Sequence, residues 1–201
     1  MTQTDGHDTF LRELSELEGA DAPARGLERS LESLEPVAPA AQLRARLLAS
    51  ARPETRLLRF AEPVARLLEI SVERAGELLA SLHDRSAFSV ELPGVSLLWV
   101  EGGPGLENAV RGFVRVEAGC AFPEHEHFGD ETVLVLQGRY EDTATGQVFG
   151  PGDIARMPAG SSHAFRVPPD GPHLLKLAVV HVGLRAGDKV YGPRTTGPSS
   201  A

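Results

Sequence analysis

The second half of the 201-residue chain is a succession of short strand-like runs separated by turns. Glycine- and proline-containing stretches such as GGPG, GPGD and PAGS punctuate it, and no helical pattern intervenes. The runs are rich in β-branched or aromatic residues and read SAFSVEL, VSLLWV, VRGFVRV, TVLVLQGRY, HAFRV and HLLKLAVVHV. Strands at this spacing without crossover helices predict an antiparallel sandwich or barrel.

The first half is helical in pattern. Leucines recur at helical spacing in three short segments, at residues 10–17, 27–34 and 43–48. A longer amphipathic stretch, TRLLRFAEPVARLLEISVERAGELLASLHD, predicts two further helices with Ser71 as the N-cap of the second. We therefore predict three parts: a helical N-terminal region (1–85), a β-domain (86–187) and a flexible tail (188–201).

Charge and hydropathy exclude several classes of protein. The formal net charge of -8 argues against a nucleic-acid surface, which needs clustered Lys and Arg. No apolar run approaches the roughly 18 residues of a membrane span, and the N-terminus lacks the pattern of a secretion signal. The single cysteine, Cys120, cannot form an internal disulfide. We predict a cytoplasmic protein without a membrane or nucleic-acid partner.

Two helices joined by a short turn near Ser71 have the outline of a helix-turn-helix. Residues 1–85 carry 15 acidic and 11 basic side chains, however, which is unfavourable for DNA binding. The preferred interpretation is an αα-hairpin that packs on the β-domain or on a protein partner.

A cluster of candidate metal ligands lies in PEHEHFGDETVLVLQG. His125 and His127 are two residues apart, so in a strand both imidazoles point to the same face. Glu131 can return to the same site after a turn through Gly129. Two imidazoles and a carboxylate suit a divalent transition metal, and His163, in GPGDIARMPAGSSHAF, is a candidate fourth ligand.

The spacing of these residues resembles the two motifs of the cupin family. The first runs through Gly119, His125, His127, Glu131 and Gly138, and the second through Gly152, Pro158, Gly160 and His163. Val167 stands where the family often has Asn, at a position that is not a ligand. The resemblance implies a mainly β protein, a double-stranded β-helix or jelly-roll barrel, with His125, His127, Glu131 and His163 around one metal ion.

The order of parts, helices followed by a cupin barrel, resembles the ChrR-type anti-sigma factors. The connector EPVAPAAQLRARLLASA is similar to the segment that follows the sigma-binding helices in such proteins. That family implies a zinc-binding helical domain, but before residue 83 this chain offers only His7 as a Cys or His ligand. The helices would therefore fold without metal, or sigma binding has been lost.

Two functions follow from these resemblances. One is a non-enzymatic regulator whose N-terminal helices bind a sigma factor or another regulator, with zinc favoured in the barrel. The alternative is a metal-dependent oxygenase or isomerase that uses iron, manganese or nickel on a small molecule bound in the barrel. Both allow a homodimer, and fold alone does not decide between them.

Overall fold

The structure is a computed structural model that describes residues 38, 40, 42–52 and 55–193. The two helices predicted within residues 10–34 lie outside the described residues. The chain divides into two units between residues 45 and 46, and the sheets and helical hairpin below belong to the second unit. No described helix is both long enough and apolar enough to span a membrane.

Among the described residues, three α-helices precede the strands: α1 (Leu43–Ser50), α2 (Ala61–Leu68) and α3 (Val72–Ser81). Helix α2 ends at Glu69, which has a left-handed backbone (φ 53°). The N-cap predicted at Ser71 is confirmed, because its side chain accepts a hydrogen bond from the backbone N–H of Arg74 at 3.2 Å. Short 3-10 turns occur at Leu58–Phe60, Arg85–Ala87 and Pro104–Leu106.

Twelve strands follow in the described part of the chain. The first six are β1 (Ser89–Leu92), β2 (Val95–Trp99), β3 (Ala109–Val116), β4 (Ala121–His127), β5 (Glu131–Gln137) and β6 (Tyr140–Asp142). The others are β7 (Val148–Phe149), β8 (Ile154–Met157), β9 (Ser162–Arg166), β10 (Leu174–His181), β11 (Leu184–Ala186) and β12 (Lys189–Tyr191). Strand β12 lies at the start of the segment predicted as a tail, and residues 194–201 lie outside the described residues.

The strands form two six-stranded antiparallel sheets, as the pattern of the second half predicts. One sheet has the order β1-β2-β3-β10-β5-β8 and the other β12-β11-β4-β9-β6-β7. A hydrophobic cluster with residues from both sheets fills the space between them, with Phe165, Tyr140 and Val133 among its fully buried members. The mainly β, jelly-roll architecture predicted from the sequence is confirmed.

A second hydrophobic cluster joins α2 and α3 to the outer face of the first sheet. Leu68 and Leu79 from the helices pack with Leu177 from β10 and with residues of β3 and β5. The αα-hairpin therefore packs on the β-domain. The domain boundary near residue 85 remains a prediction from composition, and α2 and α3 share a hydrophobic core with the strands.

Strand β10 is buried on both faces. Its alternate residues form two sets, here called phases, that point to opposite sides of the sheet. Leu175, Leu177 and Val179 face the helices. The alternate residues Lys176, Ala178 and Val180 line a cavity inside the barrel. The inward position of Lys176 could not be foreseen from the sequence, because each phase of this strand is apolar apart from one residue, Lys176 in one and His181 in the other.

Replacing Leu79 by alanine is expected to lower the free energy of unfolding by about 2–5 kcal/mol, because Leu79 is fully buried between α3 and the sheet. Urea unfolding of both proteins measures the difference. Val72→Ala on the same helix is the matched control, since Val72 is exposed and its loss should cost under about 0.5 kcal/mol. Equal effects of the two substitutions would contradict the packing of α3 on the barrel.

Candidate metal centre

The four predicted ligand residues form one cluster. One ligand atom from each of His125, His127, Glu131 and His163 lies within 4.8 Å of the other three. Ligands at about 2.0–2.2 Å from an ion are separated by at most about 4.4 Å. The observed limit of 4.8 Å is close to this value, so the four atoms are near enough to approach a single ion. All four side chains are buried, and His127 has no exposed surface.

Strand pairing places the three imidazoles. His125 and His127 lie on the same face of β4, as expected for residues two apart in a strand. His163 on β9 is the direct cross-strand partner of His125, and their ring centroids are 4.5 Å apart. The pairing of β4 with β9 thus brings together residues that are far apart in the sequence.

The turn between β4 and β5 places the carboxylate. Glu131 is the first residue of β5, four positions after His127 at the end of β4. A Cβ at Gly129 would lie 2.4 Å from the backbone oxygen of His181, so only glycine fits this turn. Asp130 in the same turn accepts a hydrogen bond from Ala159 N at 2.9 Å. That bond ties the turn to the β8–β9 connection that precedes His163.

Each imidazole uses Nδ1 for a hydrogen bond that leaves Nε2 free. Nδ1 of His125 donates to the carbonyl of Pro123 at 3.0 Å, and Nδ1 of His163 donates to the Asp142 carboxylate at 2.6 Å. His127 Nδ1 lies 3.1 Å from Ser161 Oγ, whose only proton is donated to the Pro158 carbonyl at 2.6 Å. Ser161 is therefore the acceptor, and all three Nε2 atoms carry lone pairs as metal binding requires.

The unsatisfied atoms of the cluster converge. His127 Nε2, His163 Nε2 and Glu131 Oε2 are buried and have no hydrogen-bond partner among the described residues. Oε2 of Glu131 lies 3.2 Å from His127 Nε2 and 3.8 Å from His163 Nε2. Buried polar atoms without partners are costly, and a shared cation would satisfy all three at once. The donor set, three imidazole nitrogens and a carboxylate oxygen, fits a divalent transition metal.

The protonation states also suit a metal ion. Burial and the nearby Lys176 ammonium lower the pKa of His125 to about 3, and burial lowers the pKa of His163 despite its bond to Asp142. Burial alone would raise the pKa of Glu131, but Lys176 and the imidazoles outweigh it and lower the pKa to about 2. These two imidazoles are neutral and the carboxylate is ionised near pH 7, which are the states that bind metal.

Two residues that support the ligands were not identified from the sequence. Asp142, on the short strand β6, holds His163, and Ser161, in the β8–β9 turn, holds His127. Asp142 is fixed in turn by Thr145, whose backbone N–H and hydroxyl both bond Oδ1 of the carboxylate. The only local signal was the run DTAT after a strand, which is typical of an Asx turn.

Asp142→Asn is expected to weaken zinc binding about 10- to 100-fold while the fold is retained, because His163 loses its charged acceptor. Competition with a chromophoric chelator measures the dissociation constant. Glu141→Gln is the matched control on the same strand, since Glu141 bonds Arg166 and no ligand. Unchanged zinc affinity in Asp142→Asn would show that the Asp142 contact does not support the site.

One family model matches most of this barrel. Residues 96–176 match the family model described as the ChrR cupin-like domain. The match spans strands from both sheets and includes all four clustered residues. The barrel has the cupin fold. No curated protein matches the chain.

Solved structures similar to the chain include a cupin protein, a dioxygenase and an anti-sigma complex. An RmlC-like cupin protein from Ralstonia eutropha JMP134 is 18% identical, with 54% of this chain and 76% of that chain covered and a TM-score of 0.47. An acetylacetone dioxygenase from Acinetobacter johnsonii is 13% identical, with 55% and 82% covered and a TM-score of 0.47. The complex of Rhodobacter sphaeroides SigE with the anti-sigma ChrR is 23% identical, with 87% and 84% covered and a TM-score of 0.45. The assignment of the cupin domain rests on the sheet topology and the family match.

Proposed function

We propose that this chain is a cytoplasmic, non-enzymatic regulator whose cupin domain binds one divalent transition metal ion through His125, His127, Glu131 and His163. Its N-terminal helical region binds a protein partner, a sigma factor or another regulator, and metal occupancy of the barrel changes that binding. The match of the barrel to the ChrR cupin-like domain supports this class of function.

The observation that carries the metal proposal is the buried convergence of four ligand atoms, three of which have no other partner among the described residues. Four protein ligands complete the tetrahedral shell of a closed zinc site, so zinc is proposed first. Elemental analysis of protein purified from its own host is expected to give about one zinc per chain. Iron or manganese at that stoichiometry would overturn the choice of zinc, and a metal-free protein would overturn the site.

The partner proposal is tested by co-purification. A tagged chain expressed in its own host is expected to bring down a sigma factor, because its barrel matches the ChrR cupin-like domain and its order of parts resembles the ChrR-type anti-sigma factors. The same co-purification is repeated with two altered proteins. One is the full-length chain stripped of metal, and the other is a shortened chain of residues 46–201 that keeps α2 and α3 with the barrel.

Each comparison tests one part of the proposal. Recovery of the same partner by residues 46–201 would contradict a role for the helices predicted before residue 46. Equal recovery by the metal-free full-length chain would contradict control by the metal.

A metal-dependent oxygenase or isomerase is the second candidate, and one observation favours it. A cavity of about 50 Å³ lies inside the barrel and is lined by His125 and Glu131, so a small molecule can reach two of the candidate ligands. The iron and manganese forms should then consume oxygen or convert a substrate in a panel of small carbonyl compounds and carboxylic acids. A chain that retains only zinc and is inert across that panel excludes this function.

A further inference from the structure

The cavity beside the candidate metal centre is lined by both apolar and charged side chains. Most of its lining is apolar, with Leu97, Val114, Phe122 and Phe165 among the contributors. Three polar groups interrupt this lining near one another: His125 and Glu131 from the ligand set, and Lys176 from β10. The cavity thus combines an apolar compartment with a cationic side chain and two candidate metal ligands.

Lys176 is an unusual residue in this position. Its side chain is 2% exposed, in the middle of the sheet between β3 and β5. Its Nζ lies over the ring faces of Phe165 and Tyr140, at 4.1 and 5.3 Å from the centroids. Among the described residues no carboxylate lies within salt-bridge distance of it, although Glu131 is near enough to act on its charge. A buried ammonium without an ion-pair partner is costly, and an anion in the cavity would offset that cost.

With a metal ion bound, the charged groups around the cavity do not cancel. With a divalent ion bound and Lys176 protonated, the ion and Lys176 contribute three positive charges. Burial lowers the pKa of Lys176, and an anion beside its ammonium group would favour the charged form. Glu131 and Asp142, the latter bonded to His163, contribute two negative charges, and the imidazoles are neutral when they bind metal. The excess in this buried region is one positive charge, which one monoanion would balance.

We propose that the cavity binds a small monocarboxylate, with its carboxylate at Lys176 and its short alkyl part among the apolar side chains. This inference rests on the proposed metal site, because the bound ion supplies the charge excess. A volume of about 50 Å³ accommodates roughly four water-sized groups. Formate and acetate meet this limit, and hexanoate does not.

The test is the melting temperature of the zinc-loaded protein in the presence of sodium formate, acetate or hexanoate, at constant ionic strength set with chloride. Formate and acetate are expected to raise the melting temperature with concentration, whereas hexanoate and the uncharged acetamide are not. Lys176→Met retains the volume of the side chain without its charge, and should weaken acetate binding at least about tenfold. Lys189→Met is the matched control, because Lys189 is the other lysine of the chain and bonds the carbonyl of Glu91 at the surface.

Zinc content, measured on every sample, separates the possible failures. Zinc-free wild-type protein would overturn the metal site and this inference with it. Zinc-loaded protein that responds equally to acetate and acetamide would overturn this inference and leave the metal site intact, as would a normal acetate response in Lys176→Met. If Lys176→Met does not fold, the wild-type series decides alone, since hexanoate binding as tightly as acetate would exclude this cavity as the binding site.

Discussion

Replacing His127 by alanine is expected to reduce the metal content of the purified protein to less than about a tenth of the wild-type value. His127 has no exposed surface, and its Nε2 has no partner other than the proposed ion among the described residues. Loss of one of four ligands from a closed site removes most of its affinity. Binding at 100 times the dissociation constant stabilises a protein by about 2.7 kcal/mol. The melting temperature should therefore fall by about 5–10 °C.

Elemental analysis and thermal unfolding check this result in the same preparations. Wild-type protein treated with a chelator should melt close to the untreated His127→Ala variant, because both lack the ion. His181→Ala is the matched control, since His181 is exposed at the end of β10 and should keep both metal and melting temperature. One metal ion per chain in His127→Ala would contradict its assignment as a ligand.

The metal-free protein is expected to lose stability steeply as the pH falls below 6.5. The pKa of His125 in the folded chain is about 3, against 6.5 when exposed, because burial disfavours its charged form. A group whose folded pKa is depressed contributes stability that is present above its unfolded pKa and is lost as the pH falls toward the folded pKa. For His125 this window runs from 6.5 down to about 3, at about 1.4 kcal/mol for each pH unit.

Neighbouring groups act in the same direction. The pKa of Glu131 is lowered from 4.5 to about 2, so its contribution is lost below pH 4.5. Burial and the bond to Asp142 act oppositely on His163, and the net effect is a lowered pKa. Together, His125, Glu131 and His163 therefore bind fewer protons when folded than when unfolded, and acid favours the unfolded chain.

Urea unfolding of chelator-treated protein at pH 7.5, 6.5, 5.5 and 4.5 measures this dependence. His125→Gln cannot titrate at this position, so its stability should fall less steeply between pH 6.5 and 4.5. His83→Gln is the control, because His83 is exposed and should leave the slope unchanged. A stability of the metal-free wild type that is constant or rises as the pH falls over this range would refute the prediction.

The clustering of the candidate ligands was predictable in part because it depends on local spacing. Two residues in a strand share a face when they are two apart, which placed His125 with His127. The turn through Gly129 returned Glu131 to them, and only a tight turn permits that return. His163 came from the resemblance to the cupin motifs, since no local rule shows that β9 pairs with β4. In the structure the four side chains lie in one cluster.

The supporting residues were not predictable in the same way. Asp142 reaches His163 only because β6 pairs with β9, a contact that local sequence does not specify. Alternation along a strand puts Lys176 in one phase of β10 and Leu175 and Leu177 in the other, but which phase faces the barrel depends on the helices that cover the outer face. A strand buried on both sides has no polar face to reveal its orientation.

Strand β10 separates the helical hairpin from the cavity by the thickness of a single strand. On one side of it Leu175, Leu177 and Val179 contact the layer that holds α2 and α3, and on the other Lys176, Ala178 and Val180 contact the cavity. Close-packed interiors transmit strain. Displacing a side chain on the cavity side of β10 would therefore shift its neighbours on the helix side. A molecule bound in the cavity would therefore contact residues of β10 that are direct neighbours of those packed against α2 and α3.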